Sequence, residues 1–292
     1  MAATVLRYAQ FSFTREGYGK VLAEYSGFFE RANLGSMGFR WLHILAGITW
    51  IGLLYFFNVV QVPAYAQFEA EPHKEIGGKA RLIAIDKVTR KALWWFRWAA
   101  VGTFLTGILI TGIIKDYYTG GTDSAGEEIS WGRFAPNIGI STGMLLGTIM
   151  MLNVWGVIWR NQKIVLANAA NVLAGGEANP DAPAAGRRAV MASRQNMIFS
   201  VAMLFFMIYK AHLTGVTAIT PVTSGNLAVY WIVALLVIGI LELNCLGLLP
   251  WKATANKGLN KIYDGPGVRN PLIAAFAVWA IFLVLTEVLF KA

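Results

Sequence analysis

Trp41-Leu-His-Ile-Leu-Ala-Gly-Ile-Thr-Trp-Ile-Gly-Leu-Leu-Tyr-Phe-Phe-Asn-Val-Val60 is the stretch that decides the fold. A helix that crosses a bilayer needs roughly 20 mostly apolar residues, and this run has that length and character. Its apolar residues are continuous rather than alternating, which suits an internally hydrogen-bonded helix and not a barrel strand. Five further stretches read the same way: Leu93–Ile114, Asn137–Trp159, Met197–Leu213, Leu227–Leu249 and Pro271–Phe290. The fourth is the shortest or most polar, because Lys210 and His212 sit in its second half. The fold expected is an all-α integral membrane protein with six transmembrane helices.

The composition agrees. Of 292 residues, 56% are apolar and only 14% charged, against about 25% charged in soluble domains. An ordinary soluble enzyme, a disordered chain and a disulfide scaffold are thereby excluded. Trp94, Trp95, Trp98, Tyr117, Tyr118, Trp131, Trp159, Tyr230 and Trp251 flank the stretches, as aromatic residues do at headgroup level. Pro271 opens the last one, where a missing amide hydrogen costs nothing.

Basic residues give an orientation. The connector between spans one and two holds Lys74, Lys79, Arg81, Lys87, Arg90 and Lys91. The one between spans three and four holds Arg160, Lys163, Arg187, Arg188 and Arg194, and the last holds Lys252, Lys257, Lys261 and Arg269. The connector between spans two and three is acidic, with Asp116, Asp123, Glu127 and Glu128, and Thr214–Asn226 carries no charge. The positive-inside rule places the three basic connectors in the cytoplasm and both chain termini on the extracytoplasmic side. Arg7, Arg15, Lys20, Arg31 and Arg40 oppose that placement, but three connectors outweigh one tail.

Residues 1–38 read as an extracytoplasmic or interfacial tail, and residues 39–292 as one polytopic membrane domain. Met1–Glu30 lacks the apolar core and cleavage site of a signal peptide. The tail reads equally as an interfacial helix, a partner-binding arm or an extension packed on the spans. Ala167–Ala185, with Gly175, Gly176, Pro180 and Pro183, reads as an exposed loop. The net charge of +9 is largely spent on topology, so nucleic acid is not an expected partner.

Polar residues within the spans need a reason to be there. His43, Gly47 and Trp50 lie at spacings of four and seven, on one helical face, with Arg40 three residues before His43. One reading is a haem site: His43 as iron ligand, Gly47 as clearance for the macrocycle and Arg40 as a cation for a propionate. The other is a structural histidine bonded to a neighbouring helix. His212, near the same end of the fourth span, is the candidate second ligand. His73 lies in a cytoplasmic connector and is a surface residue. No Cys-x-x-Cys-His occurs and the one cysteine, Cys245, lies in a span, so the chain has no covalent c-type haem attachment.

Lys210 either snorkels to the headgroups or contacts a quinone, urate or propionate. Glu242 and Glu287 sit in spans of opposite direction, which argues against a direct carboxylate dyad but not against a staggered proton path. Asn58, Asn153 and Asn244 read as interhelical glue. Gly139, Gly143 and Gly147 form a four-residue stripe that permits close helix contact, whereas Gly102, Gly107 and Gly112 drift around their helix.

A resemblance emerges at these same residues. Trp41 through Pro63 is similar to the opening membrane segment of the urate oxidase N-terminal family. So are Lys91-Ala-Leu-Trp-Trp-Phe-Arg-Trp98, Asn153-Val-Trp-Gly-Val-Ile-Trp-Arg-Asn-Gln-Lys163, and Ser193-Arg-Gln-Asn196 with Met203-Leu-Phe-Phe-Met207. That family includes the membrane portion of a bacterial urate hydroxylase, fused there to a C-terminal cytochrome c domain. The resemblance implies the bacterial inner membrane, urate-linked oxidation and electrons passing to a cytochrome c. The chain stops at Ala292, after the last span, so the implied carrier is a separate protein. The first-span histidine also resembles, locally, haem-binding membrane oxidoreductases of the HemJ type, which implies His43 as a b-type haem ligand.

The functional expectation is therefore a membrane redox component that passes electrons through b-type haem to a separate acceptor such as cytochrome c. The alternatives are a non-catalytic subunit that anchors or stabilises a membrane complex, and an ion or solute transporter using Lys210, Glu242 and Glu287. No repeat or paired broken helix supports the last.

Overall fold

The computed structural model describes residues 31–113, 120–123, 125–213, 221–249, 258–264 and 267–290. Residues 1–30 of the expected tail, Tyr117, Tyr118, Trp251, Lys252, Lys257 and Lys291 lie outside these. Among the described residues six helices are long and apolar enough to cross a membrane: Met37–Ala70, Lys74–Gly112, Ala135–Leu173, Ala182–His212, Ser224–Cys245 and Arg269–Leu289. The chain is an all-α, multi-pass membrane protein, as its hydropathy requires. In this order they are α1 to α6 below.

The first three helices run far past bilayer thickness. At 1.5 Å per residue, the 39 residues of α2 reach about 58 Å, against a hydrocarbon core of about 30 Å. The excess lies at the end that carries the basic connectors. Each of the three contains a π-helical segment there: Phe56–Gln61 in α1, Ile85–Thr89 in α2 and Val154–Ile158 in α3. One extra residue per turn rotates the helix beyond it, so the basic extensions pack on one another as well as on the body. At the turn between α1 and α2, Gly77 is required: a Cβ there would lie 2.1 Å from the Phe68 carbonyl oxygen. Arg81 pairs with Glu69 at 2.9 Å, and Arg90 with Asp86 at 2.6 Å.

The fourth helix is the centre of the molecule. Its apolar window is 72% buried, against 22% or less in the first, second, fifth and sixth. The sequence reading began this span at Met197, but the helix begins at Ala182 and is the most enclosed of the six. The reason is Ser193-Arg-Gln-Asn196, which lowers local hydropathy although all four side chains are buried. Between them they reach α1, α3 and the last basic connector. Ser193 Oγ accepts from Asn58 Nδ2 at 2.8 Å, and Asn196 Oδ1 accepts from Asn153 Nδ2 at 3.1 Å. Arg194 donates to the Tyr263 carbonyl and, at 3.0 Å, to the Gly267 carbonyl, while Gln195 Oε1 accepts from the Tyr263 hydroxyl at 2.5 Å. With Arg187–Asp264 at 2.6 and 2.9 Å, these bonds seat the last basic connector against α4.

The glycine stripe of α3 packs inside the chain. A Cβ at Gly139 would strike the Tyr209 ring at 2.4 Å, and one at Gly143 would meet the Met207 backbone nitrogen at 2.8 Å. The expected loop at Ala167–Ala185 is shorter than the sequence suggested. Helix continues to Leu173 and resumes at Ala182, with Gly175 at φ 88° forming the turn.

At the opposite end, the acidic connector makes a two-residue hairpin, Gly121 opposite Ile129 and Thr122 opposite Glu128. Asp123 Oδ1 closes it by accepting from the amides of Ala125 and Glu127 at 2.9 and 2.8 Å. Arg133 and Val222 exchange hydrogen bonds at 2.8 and 2.9 Å, joining this connector to the start of α5. Thr223 caps α5 by accepting from the Asn226 amide at 3.2 Å.

Candidate functional site

His43 lies half-buried near the start of α1, turned towards α2. Its Nδ1 is 2.8 Å from the Thr103 carbonyl oxygen and 3.1 Å from Thr106 Oγ1. A carbonyl only accepts, so Nδ1 carries the proton, and in the neutral form of the ring the lone pair is on Nε2. The ring lies over Gly107, where a Cβ would come within 3.3 Å of its Cε1. Gly107, which had read only as drifting around its helix, is what lets the imidazole lie against α2.

Two expected partners of His43 are placed elsewhere. A Cβ at Gly47 would lie 3.9 Å from Thr103 Cγ2, so the clearance left by this glycine is taken by α2 rather than open to a macrocycle. Trp50 is 2% exposed, in the core, with its indole N–H unpartnered among the described residues. At His43 and Gly47 this face of α1 lies beside α2, and a helical wheel does not say which neighbour a face meets. Arg40 is exposed near the start of the helix.

His212 is exposed in the last turn of α4. Its depth matches that of His43. Tyr55 and Ser200 hydroxyls meet at 2.9 Å between the antiparallel α1 and α4, and His43 and His212 each lie twelve residues, about 18 Å, beyond that pair towards the same end. No described contact joins the two rings. Among the described residues no group of three or more His, Cys, Asp or Glu side chains is arranged to hold a metal ion. Haem ligation asks less than that, one or two histidines, and the residues fit it through His43 Nε2 but not through a slot at Gly47. Lys210 is half-buried one turn before the end of α4.

The two carboxylates are far apart in depth. Glu242 lies near the basic end of α5, half-buried, where Oε2 accepts from Asn153 Nδ2 at 3.1 Å. Asn153 also serves Asn196, whose own Nδ2 donates to the Met150 carbonyl at 2.9 Å. Glu287 is exposed near the opposite end of α6, two residues before Leu289, whose carbonyl accepts from Asn226 Nδ2 at 2.9 Å. The side chains of Asn58, Asn153 and Asn244 all bond across elements, as glue does.

Sequence reasoning missed a cavity towards the basic end. It holds about 30 Å³ and is lined from all three π-helical segments or the turn after them, by Phe57, Asn58, Gln61, Thr89 and Gln162, with Ser193 opposite. Tyr65, Thr89 and Gln61 form a hydrogen-bonded chain on one wall, at 2.5 and 2.9 Å. Asn58 Oδ1 and Gln162 Oε1 are buried acceptors without a partner among the described residues. The space suits one or two waters, which such acceptors call for. The signal was present as Asn58-x-x-Gln61 and Asn161-Gln162 beside apolar runs, but nothing in either shows that they converge.

Comparison with protein-family models, with curated proteins and with solved structures finds no match in any of the three.

Proposed function

We propose that this chain is a membrane redox subunit that holds a b-type haem near the end opposite its basic connectors, with His43 as iron ligand. One observation carries the reading: His43 Nδ1–H is tied to the Thr103 carbonyl at 2.8 Å, which sets the tautomer and turns Nε2 into the available donor. Metal-ligating histidines are oriented in this way, by a second-shell bond from the other ring nitrogen. A bound haem would supply reversible one-electron transfer.

The chain's own residues have separate tasks. Thr103 and Thr106 hold the imidazole, and Gly107 gives it room. His212, at matching depth, is the candidate second ligand, and Arg40, exposed three residues before His43, is placed to pair with a propionate. Lys210 is the further cation at that end. Gly47 and Trp50 have no part in this assignment.

The urate link, the bacterial inner membrane and a separate acceptor such as cytochrome c are proposed on the motif resemblance alone. In this reading the basic connectors face the cytoplasm, by the positive-inside rule, and the haem end faces out.

The test is a reduced-minus-oxidised difference spectrum of the full chain, purified from cells with intact haem synthesis. A b-type signal is expected, lost in His43→Ala, altered in His212→Ala and unchanged in His73→Ala. A fully folded protein without haem absorbance overturns the reading and leaves the anchoring subunit in its place. Urate turnover with and without added cytochrome c then tests the substrate.

A further inference from the structure

Arg97 is a cation on α2 with no acid beside it among the described residues. Three other arginines have acceptors: Arg90 has Asp86, Arg187 has Asp264, and Arg194 has two backbone carbonyls. Arg97 lies seven residues beyond Arg90, on the same face and about 10 Å further along the helix. Its guanidinium carbon sits 3.8 Å from the centre of the Trp159 ring and 5.7 Å from that of Trp155. Trp155 Nε1 in turn donates to the Arg97 carbonyl at 3.1 Å, and Trp98 closes edge-on against Trp155 at 5.3 Å. The guanidinium is thus clamped between α2 and α3.

The clamp satisfies the cation's face but not its N–H groups. Arg97 Nε is buried without an acceptor, and none of the described residues accepts from Nη1 or Nη2. Cation–π contact is worth something in a desolvated site, yet a guanidinium whose N–H donors lack a protein acceptor still calls for oxygen ones. The groove is the α2 surface beside them, next to Trp155 and Trp159, and it is exposed: Trp94, Trp95 and Trp98 are 47%, 60% and 47% exposed. Lys87 and Lys91 are exposed at its polar edge, one to three turns before Arg97. The charged side chains that precede Arg97 on this part of α2 are Lys87, Arg90 and Lys91, with Asp86 already paired to Lys87 and Arg90.

We propose that this groove is a binding site for an anionic glycerophospholipid, whose phosphodiester oxygens accept from Arg97 while an acyl chain lies on Trp94 and Trp98. A planar guanidinium matches two phosphate oxygens at once, and its place below the polar edge draws the headgroup towards the protein. The lysines favour a lipid with net negative charge over a zwitterionic one, whose cationic group they repel. The site lies at the basic end of the bundle and is independent of the haem assignment.

The test uses the full chain in nanodiscs containing equal phosphatidylglycerol and phosphatidylcholine, with lipids retained after gentle detergent exchange counted by native mass spectrometry. The wild type is expected to retain phosphatidylglycerol over phosphatidylcholine by about tenfold, the scale of two basic residues near an anionic headgroup. Arg97→Gln lowers retention of both lipids by about tenfold, Trp159→Leu lowers it less, and Lys87→Gln with Lys91→Gln removes most of the preference. Equal retention of the two lipids by the wild type overturns the site without recourse to any variant. So does undiminished lipid retention in an Arg97→Gln protein that melts as the wild type does, or displacement of the retained lipid by inorganic phosphate.

Discussion

Asn58 donates to Ser193 at 2.8 Å across α1 and α4, while its amide oxygen, equally buried, accepts from no described residue. The bond ties the π-helical segment of the first helix to the polar run of the central one. Ser193→Ala is expected to cost roughly 0.5–1.5 kcal/mol, the range for interhelical polar contacts in membranes. Replacing both partners, as Asn58→Leu with Ser193→Ala, removes the orphan acceptor too, and is expected to cost no more than Ser193→Ala alone. Reversible unfolding in mixed micelles measures both. A double variant much less stable than the single would show that the polar pair is worth more than its bond.

The glycines of α3 are not interchangeable with those of α1. A Cβ at Gly143 meets the backbone of Met207 and Phe206 within 2.9 Å, and backbone cannot rotate away. Gly143→Ala is expected to destabilise the fold by about 1–3 kcal/mol through overpacking. Gly52→Ala meets nothing within 4 Å and is expected to be neutral or slightly stabilising, since alanine is the better helix former. Melting curves of the two variants in detergent distinguish them.

Gly107 tests the haem reading from the second helix. A Cβ there would stand 3.3 Å from His43 Cε1, so Gly107→Ala leaves the ring nearly in place and Gly107→Val displaces it from Thr103. Haem content per protein is expected to fall in the order wild type, alanine, valine, with the fold retained by circular dichroism. Equal content in all three would mean that the His43–Thr103 bond does not set the ligand.

Tyr263 supplies a pH dependence. The connector that holds it lies outside the spans, and burial pushes its phenol up from the usual value near 10. A raised value in the folded state means that the fold favours the protonated phenol. The stabilisation is complete below pH 10 and is lost as pH rises beyond it. Tyrosinate absorbance from Tyr263, isolated by difference against Tyr263→Phe, is expected to appear only with alkaline unfolding. Titration of this residue in the folded protein near pH 10 would contradict its enclosure by Gln195 and the Leu241 carbonyl.

Of the site, the sequence showed the residues but not their neighbours. His43 stood out as a polar residue in an apolar run, and its depth relative to His212 followed from counting spans. Its partner did not, because Thr103 is sixty residues away and acts through a backbone carbonyl that any residue would supply. Gly47 looked like clearance for a ligand on a wheel, and only the structure shows that Thr103 of the second helix stands beside it. The start of the fourth helix was set too late for a related reason: Ser193 to Asn196 carry a hydropathy that belongs to a surface, and only bonds to four different partners keep them inside.

By itself the sequence determined six apolar membrane-length helices and the separation of basic from acidic connectors, because hydropathy and charge add up locally along the chain. The close glycine contact of the third helix was also determined there, since a four-residue stripe needs no knowledge of its partner. Only the tertiary structure decided that this partner is the fourth helix, and that three π-helical segments meet around one polar cavity. It alone decided that Arg97 has an indole beside it and no acid. Hydrogen bonds and cation contacts depend on direction and on which helices stand side by side, and neither is a sum over neighbouring residues.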